Sequence, residues 1–338
     1  MNILGIIASG ISGNLALPPQ IVVAGDGSPY VNAYPWSSGF GTKYSNPATL
    51  PTGRGFGAQF KRQGDAVAVG HDTSPFVSAY AWSSGFGSKY ANAATLPTGR
   101  GWGVAFTDAG DAIAVSHQIS PFISAYPWSS GFGTKYANPA TLPPGTGIGL
   151  AFSKNGADIA IAADGVPSVS AYPWSSGFGT KYSDPATLPG ALSWGVSFRA
   201  QNDALAVGSQ DSPYINAYAW SSGFGSKYAN PATLPSSNGR QVAFNSAGDA
   251  VAIAHMTSAP YVVAYPWSSG FGTKYANPAT AMTSNGSSVA FNTAGDAIAI
   301  TVASSPYINA YAWSSGFGSK YADPATLPTG EAWGVNYL

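Results

Sequence analysis

Residues 102–143 read WGVAFTDAGDAIAVSHQISPFISAYPWSSGFGTKYANPATLP. WGVAFT is a short apolar stretch ending at the turn Asp108-Ala109-Gly110. DAIAVSH then alternates Ala with Ile or Val at period two, the pattern of a strand whose small-residue face lets a second sheet approach closely. FISAYPW places Phe122, Ser124, Tyr126 and Trp128 on one face, with Ile123, Ala125 and Pro127 on the other. After the Ser-Ser-Gly turn, GTKYANPATLP reads as a weaker outer strand. Pro139 is tolerable there because an edge strand can do without one donor. The segment spells four antiparallel strands.

The same unit recurs. AYPWSSGFG or AYAWSSGFG occurs seven times, with its Trp at 36, 82, 128, 174, 220, 267 and 313. Five of the six intervals are 46 residues and one is 47, a period typical of four-stranded propeller blades. The expectation is therefore an all-β, seven-bladed β-propeller of four-stranded antiparallel blades. Ring closure is legible too. Counting back from Tyr34 by the offset that separates Trp102 from Tyr126 lands on Gly10, where GISGN does not match WGVAF. The segment Trp333-Gly334-Val335-Asn336-Tyr337 does match, so the C-terminal strand is expected to serve as the inner strand of the first blade, which removes an open edge.

Composition agrees. The 338 residues are 45% hydrophobic and only 8% charged, with 42 Gly and 26 Pro, which favours short strands and tight turns over helices. Lys plus Arg equals Asp plus Glu at 14 each, a balance that argues against a counterion-release nucleic-acid binder. No cysteine is present, so neither a disulfide framework nor a thiolate zinc site is expected. The early apolar run Ile3-Leu4-Gly5-Ile6-Ile7-Ala8 falls well short of the roughly 20 residues of a membrane span, and no Lys or Arg precedes it as a secretory signal would require. Two regions result: an arm over 1–19 and a propeller over 20–338. The arm, with Ile3, Leu4, Ile6 and Ile7 as its candidate anchor, either packs on its own ring or docks into a partner, where it would be a route to an oligomer.

The rhythm FTDAGDAIAV (106–115), followed by an aromatic third strand, resembles the WD-repeat-like β-propeller family over about residues 20–338. The Trp-Asp ending of that family reads Trp128-Ser129 here and no Gly-His pair precedes the inner strand, so no partner specificity carries over. The longer phrase SPYINAYAWSSGFGSKYANPATLP, with the opening ILGIIASG, is similar to repeat proteins of tailed-phage virions and related bacterial genes. That resemblance implies an assembly or adhesion role and a virion or extracellular surface location.

Of the 45 aromatic residues, nearly all recur at fixed repeat positions, as core packing requires. Four share one slot at the entry to the inner strand: Phe56, Trp102, Trp194 and Trp333. The other blades fill it with Ile148, Arg240 and Ser287. A slot that varies this freely is not dictated by packing, and in a propeller it lies at the mouth of the central channel. The two faces of the disc also differ. SSGFG is the same in every repeat, whereas the link between second and third strands and the link into the inner strand change from blade to blade, marking a diversified recognition face. It carries His71, His117 and His255, read as polar rim residues because equivalent positions on sheets about 10 Å apart cannot converge on one metal ion. Asp26, Arg54, Asp72, Arg100, Gln118, Asp164, Gln210, Asp211, Arg240 and Glu331 share the face, and their mixed signs suit a neutral polar partner.

Enzyme signals are absent, and no catalysis is expected. There is no nucleophile elbow, TGRGFG and TGRGWG lack the GxGxxG spacing, and Asp108 with Asp111 sits in a turn where Asp bonds its own backbone. No catalytic residue, metal or cofactor is expected. Lys43, Lys89, Lys135, Lys181, Lys227, Lys274 and Lys320 read as a solvated belt. The functional expectation is a non-enzymatic virion component that meets other virion or surface proteins, or a host-surface glycan, through Phe56, Trp102, Trp194, Trp333, Arg54, Arg100, Arg240, His71, His117, His255, Asp72 and Asp211. The alternatives are a multivalent carbohydrate-binding lectin and a bare repeat scaffold. Neither a nucleic-acid partner nor a membrane span is expected.

Overall fold

A computed structural model of the chain describes residues 18–338. The candidate anchor Ile3, Leu4, Ile6 and Ile7 lies outside the described residues. The described chain is all β, in seven antiparallel sheets arranged as the blades of a propeller. No helix among the described residues is long and apolar enough to cross a membrane. Closure is as the repeat offset predicts. Ala332–Tyr337 pairs with Gln20–Gly25, with Tyr337 opposite Ile21 and Val335 opposite Val23, and Val31–Pro35 completes the first blade.

The period-two alternation sets how blades stack. In blade 2, Val67, Val69, Tyr80 and Trp82 face blade 1, while Ala66, Ala68, Val77 and Ala79 face blade 3. Each blade thus offers one bulky and one small-residue face, and seven clusters form where bulky meets small. Tyr34, Tyr80, Tyr126, Tyr172, Tyr218, Tyr265 and Tyr311 are fully buried. Six of these hydroxyls donate to a threonine carbonyl of the preceding blade, as Tyr126 does to Thr95 at 2.8 Å. Trp128 is held edge-on by Phe106, Phe132 and Tyr90 of blade 2, at 5.1, 5.2 and 5.1 Å between ring centroids. Such contacts contribute about 0.5–1.5 kcal/mol each beyond the area they bury.

Blades 2, 5 and 7 have four strands, whereas in blades 1, 3, 4 and 6 the outer strand shrinks to a single bridge such as Trp128 to Phe132. The division follows the residue before each Trp, and the residue before each Lys changes with it, Ser88, Ser226 and Ser319 against Thr42, Thr134, Thr180 and Thr273. The three four-stranded blades carry Ala81, Ala219 and Ala312 before their Trp, and the other four carry Pro35, Pro127, Pro173 and Pro266. Proline has no N–H to give to a fourth strand. Pro127, inside the third strand, therefore decides the outer edge, rather than Pro139. The lysines are also not a solvated belt. Each ammonium bonds the Asn or Asp three residues on, and the side chain of Lys181 keeps only 12% of its surface exposed.

Candidate functional site at the channel mouth

The inner strands enter the disc centre side by side, and each begins at the variable slot. Phe56, Trp102, Ile148, Trp194, Arg240, Ser287 and Trp333, one from every blade, line a single cavity of about 170 Å³. The slot read from the repeat is thus one place in space. The next position is glycine in five blades. A Cβ on Gly149 would stand 2.5 Å from the Trp194 carbonyl oxygen, and one on Gly334 would stand 2.4 Å from that of Phe56. Glycine here lets neighbouring inner strands close around the axis. Gln241 and Ser288 occupy that position in the other two blades and reach the waist of the channel, with Gln59 and Asn336. Phe106 N–H donates to Gln59 Oε1 at 2.6 Å and Phe60 N–H to Asn336 Oδ1 at 3.0 Å. Below the waist the channel widens again to about 240 Å³.

Arg240 is the largest irregularity in the slot. Its guanidinium carbon stands 3.7 Å from the Trp194 ring centroid and 6.0 Å from that of Trp333, so the side chain spans the mouth past the small Ser287. Its hydrogen-bond acceptor among the described residues is the thioether of Met256, at 2.9 Å from Nε and 2.7 Å from Nη2. No carboxylate pairs with it directly. Burial lowers its pKa to about 10, and the more distant Glu331 carboxylate works in the opposite direction. Burial raises the Glu331 carboxyl above its ordinary range. Asp26 adds to that shift and Arg240 offsets part of it.

The Arg54 guanidinium is neutralised, donating to Asp72 at 2.8 Å. Burial alone would raise the Asp72 carboxyl, but the bonds and charge of Arg54 hold it below the ordinary range. Arg100 packs over Phe56 and Trp102 at 5.3 and 5.0 Å, with its buried Nε unbonded. The indole N–H groups of Trp102, Trp194 and Trp333 are themselves buried and have no acceptor among the described residues. Arg240 is therefore the cation of the cavity wall, and Glu331, two residues before Trp333, acts on it by charge from outside the lining.

Several expected site residues lie elsewhere. His71, His117 and His255 are fully buried beneath the links, not on the rim, because their links fold over them. His71 Nε2 stands 3.0 Å from Ser78 Oγ and His117 Nε2 3.0 Å from Ser124 Oγ. Those Ser–His distances would suit a nucleophile and its base, but no substrate reaches a sealed pair. Asp211 accepts the Ala191 N–H at 3.0 Å and fastens two links together. Glu331 stood among the polar residues of the face without a chemical role. Met256, Gln59, Gln241 and Asn336 lie at the site without being among the expected residues, and the signal that marks them in the sequence is that each departs from the repeat.

No protein-family model matches the chain, and no curated protein does. Solved structures do. A Bacteroides uniformis protein provisionally named a 6-phosphogluconolactonase superposes with a TM-score of 0.70 at 13% identity, over 95% of this chain and 99% of that one. A Bacteroides fragilis protein with the same provisional name gives 0.72 at 11%, over 95% and 98%. The periplasmic gluconolactonase of Pseudomonas aeruginosa gives 0.70 at 12%, over 95% and 99%. At such identities the likeness carries the propeller fold.

These names correct the functional expectation. The expectation of a non-enzymatic virion component, with its lectin and bare-scaffold alternatives, is withdrawn: three solved structures of this fold carry lactonase names, so a propeller of this kind is no ground for excluding catalysis. The absence of a local motif was weak evidence against catalysis. In a ring of seven slots, residues from Phe56 to Trp333 meet without sharing any stretch of sequence.

Proposed function

We propose that the chain is a hydrolase that opens a small sugar-type lactone at the channel mouth. The carrying observation is Arg240, half-buried in the cavity wall, with the Met256 thioether as its hydrogen-bond acceptor and no carboxylate paired with it among the described residues. A polyhydroxy lactone is rich in acceptor oxygens, and the half-buried indoles of Trp102, Trp194 and Trp333 give the cavity an apolar wall against its ring. Attack on its carbonyl builds negative charge on oxygen, which Arg240 is placed to stabilise. Glu331 takes a proton from the attacking water as the new C–O bond forms. The tetrahedral intermediate then collapses, the ring C–O bond breaks, and Glu331 returns the proton to the leaving ring oxygen. Lactone and water give a hydroxy acid, whose carboxylate leaves as a free anion after losing its proton to solvent. The WD-repeat-like rhythm is kept as a proposal about repeat ancestry, and no partner follows from it.

Proton release from glucono-δ-lactone, followed at constant pH beside its 6-phosphate ester, tests the reading. Acceleration over the spontaneous rate that is lost in both Arg240→Met and Glu331→Gln supports it. A rate equal to the uncatalysed one with both esters overturns it.

A further inference from the structure

Met256 occupies the link between the second and third strands of blade 6, one residue into the turn after His255. The same position is Asp26, Asp72, Gln118, Asp164, Gln210 and Ala303 in the other blades. In blade 2 that residue is the carboxylate that binds Arg54 at 2.8 Å and takes its donors out of use. In blade 6 the corresponding residue faces an arginine again, but offers only a thioether. Sulfur is a weak acceptor, so Arg240 stays available to a ligand. Met256 is half-buried, whereas Met282, the other methionine among the described residues, is 4% exposed.

We propose that Met256 is an oxidation site that switches Arg240 off. A hydroperoxide transfers one oxygen atom to Met256 Sδ. The thioether is oxidised to the sulfoxide, the O–O bond breaks, and the peroxide is reduced to water or an alcohol. The new oxygen is a strong acceptor beside Nε and Nη2, and it occupies the guanidinium as Asp72 occupies that of Arg54. A dithiol reductant restores the thioether and frees Arg240: two thiols close to a disulfide, the S–O bond breaks, and the oxygen leaves as water. The consequence for turnover rests on the lactonase reading, whereas the bond between Met256 and Arg240 does not.

The experiment treats the full chain with hydrogen peroxide, locates the added oxygen by peptide mass spectrometry, and reads two signals. The first is the solvent exchange rate of the Arg240 Nε–H by NMR, expected to slow at least threefold on oxidation. The second is gluconate affinity by tryptophan fluorescence, expected to fall about tenfold, as befits losing bonds to a charged group. Met256→Leu, compared with its own untreated form, is expected to show neither change. Oxygen found on Met256 with an unchanged Arg240 exchange rate overturns the switch, and so does an equal response in Met256→Leu. Slowed exchange in a protein that never binds gluconate leaves the switch standing and sinks the ligand reading alone.

Discussion

The Arg240 guanidinium lies 3.7 Å over the ring of Trp194, on the neighbouring blade, while among the described residues its donors meet the sulfur of Met256 alone. A cation held this way is desolvated without an ion-pair partner, an arrangement that costs folding energy and makes the group available to a ligand. Arg240→Met is expected to fold with an unchanged or raised Tm and to lose at least about 100-fold in kcat/KM toward the lactone. Arg240→Lys keeps charge but not the planar fork, and is expected to recover less than about a tenth of the activity. Calorimetry beside steady-state rates checks both, and a large fall in Tm for Arg240→Met would mean that the residue is a structural strut.

Glu331 sets a pH dependence with a definite sign. As a base it works ionised, so the rate should rise with pH through its pKa, which burial and Asp26 raise above the ordinary glutamate value. Asp26→Asn removes a neighbouring negative charge and should move the ascending limb to lower pH. Arg240→Met removes the opposing positive charge and should move the residual limb to higher pH. The kcat/KM profiles of the three proteins decide it, and limbs that coincide would remove Glu331 from the mechanism.

The three histidines predict acid lability. Burial lowers each pKa to about 4, so the folded state holds neutral imidazoles while the unfolded chain binds protons from about pH 6.5 downward. Stability should therefore be full above about pH 6.5 and fall as pH drops toward 4, by up to about 3 kcal/mol for each histidine. Urea midpoints at pH 7 and pH 4.5 measure this. His71→Gln, which keeps one donor and one acceptor without titrating, should flatten part of the slope.

The outer edges give a test with the opposite emphasis, on structure more than on stability. Pro127→Ala supplies the missing N–H, so blade 3 should gain the pairing of Tyr126 with Lys135 that blade 2 shows between Tyr80 and Lys89. The added hydrogen bond contributes about 1 kcal/mol and the freer unfolded chain offsets much of it, so Tm should barely move. Amide exchange in 132–136 should slow, and the reverse change, Ala219→Pro, should speed exchange in 224–228.

That alternation shows what was legible in the sequence. Seven blades, their closure through Trp333–Tyr337 and the shared slot of Phe56, Trp102, Trp194 and Trp333 all follow from position within the repeat, because a ring turns equal sequence position into equal height on the axis. The loss of four outer strands is readable from Pro127 and its equivalents, because each stands one residue before the Trp where the fourth strand would pair, whereas Pro139 lies beyond that pairing. The burial of His71 was not readable, since it depends on a link folding back across the strand end, where Asp72 N–H donates to the Arg54 carbonyl at 3.2 Å. The chemistry of the mouth was least legible. The roles of Arg240, Met256 and Glu331 arise from side chains that cross between blades, and repeat offset carries no record of such crossings.

His255 offers a repair that the repeat itself suggests. In blades 2 and 3 the buried imidazole faces Ser78 or Ser124, and in blade 5 Asn216 Nδ2 donates to Ser209 Oγ at 3.0 Å in the same pair of positions. In blade 6 the partner position holds Val263, and His255 Nε2 is left without a hydrogen bond. A core Val→Ser change normally costs about 1–3 kcal/mol through lost apolar burial and an added hydroxyl. Here the hydroxyl meets a waiting nitrogen, whose unmet bond itself costs about 1–3 kcal/mol. Val263→Ser should therefore leave stability within about 1 kcal/mol of the parent, whereas Val263→Ala, which opens space and supplies no partner, should cost about 1–2 kcal/mol. The converse, Ser78→Val, strands His71 Nε2 and should be the most damaging of the three. Urea unfolding of the set reads the order directly, and a Val263→Ser protein less stable than Val263→Ala would show that His255 already has a partner in solution.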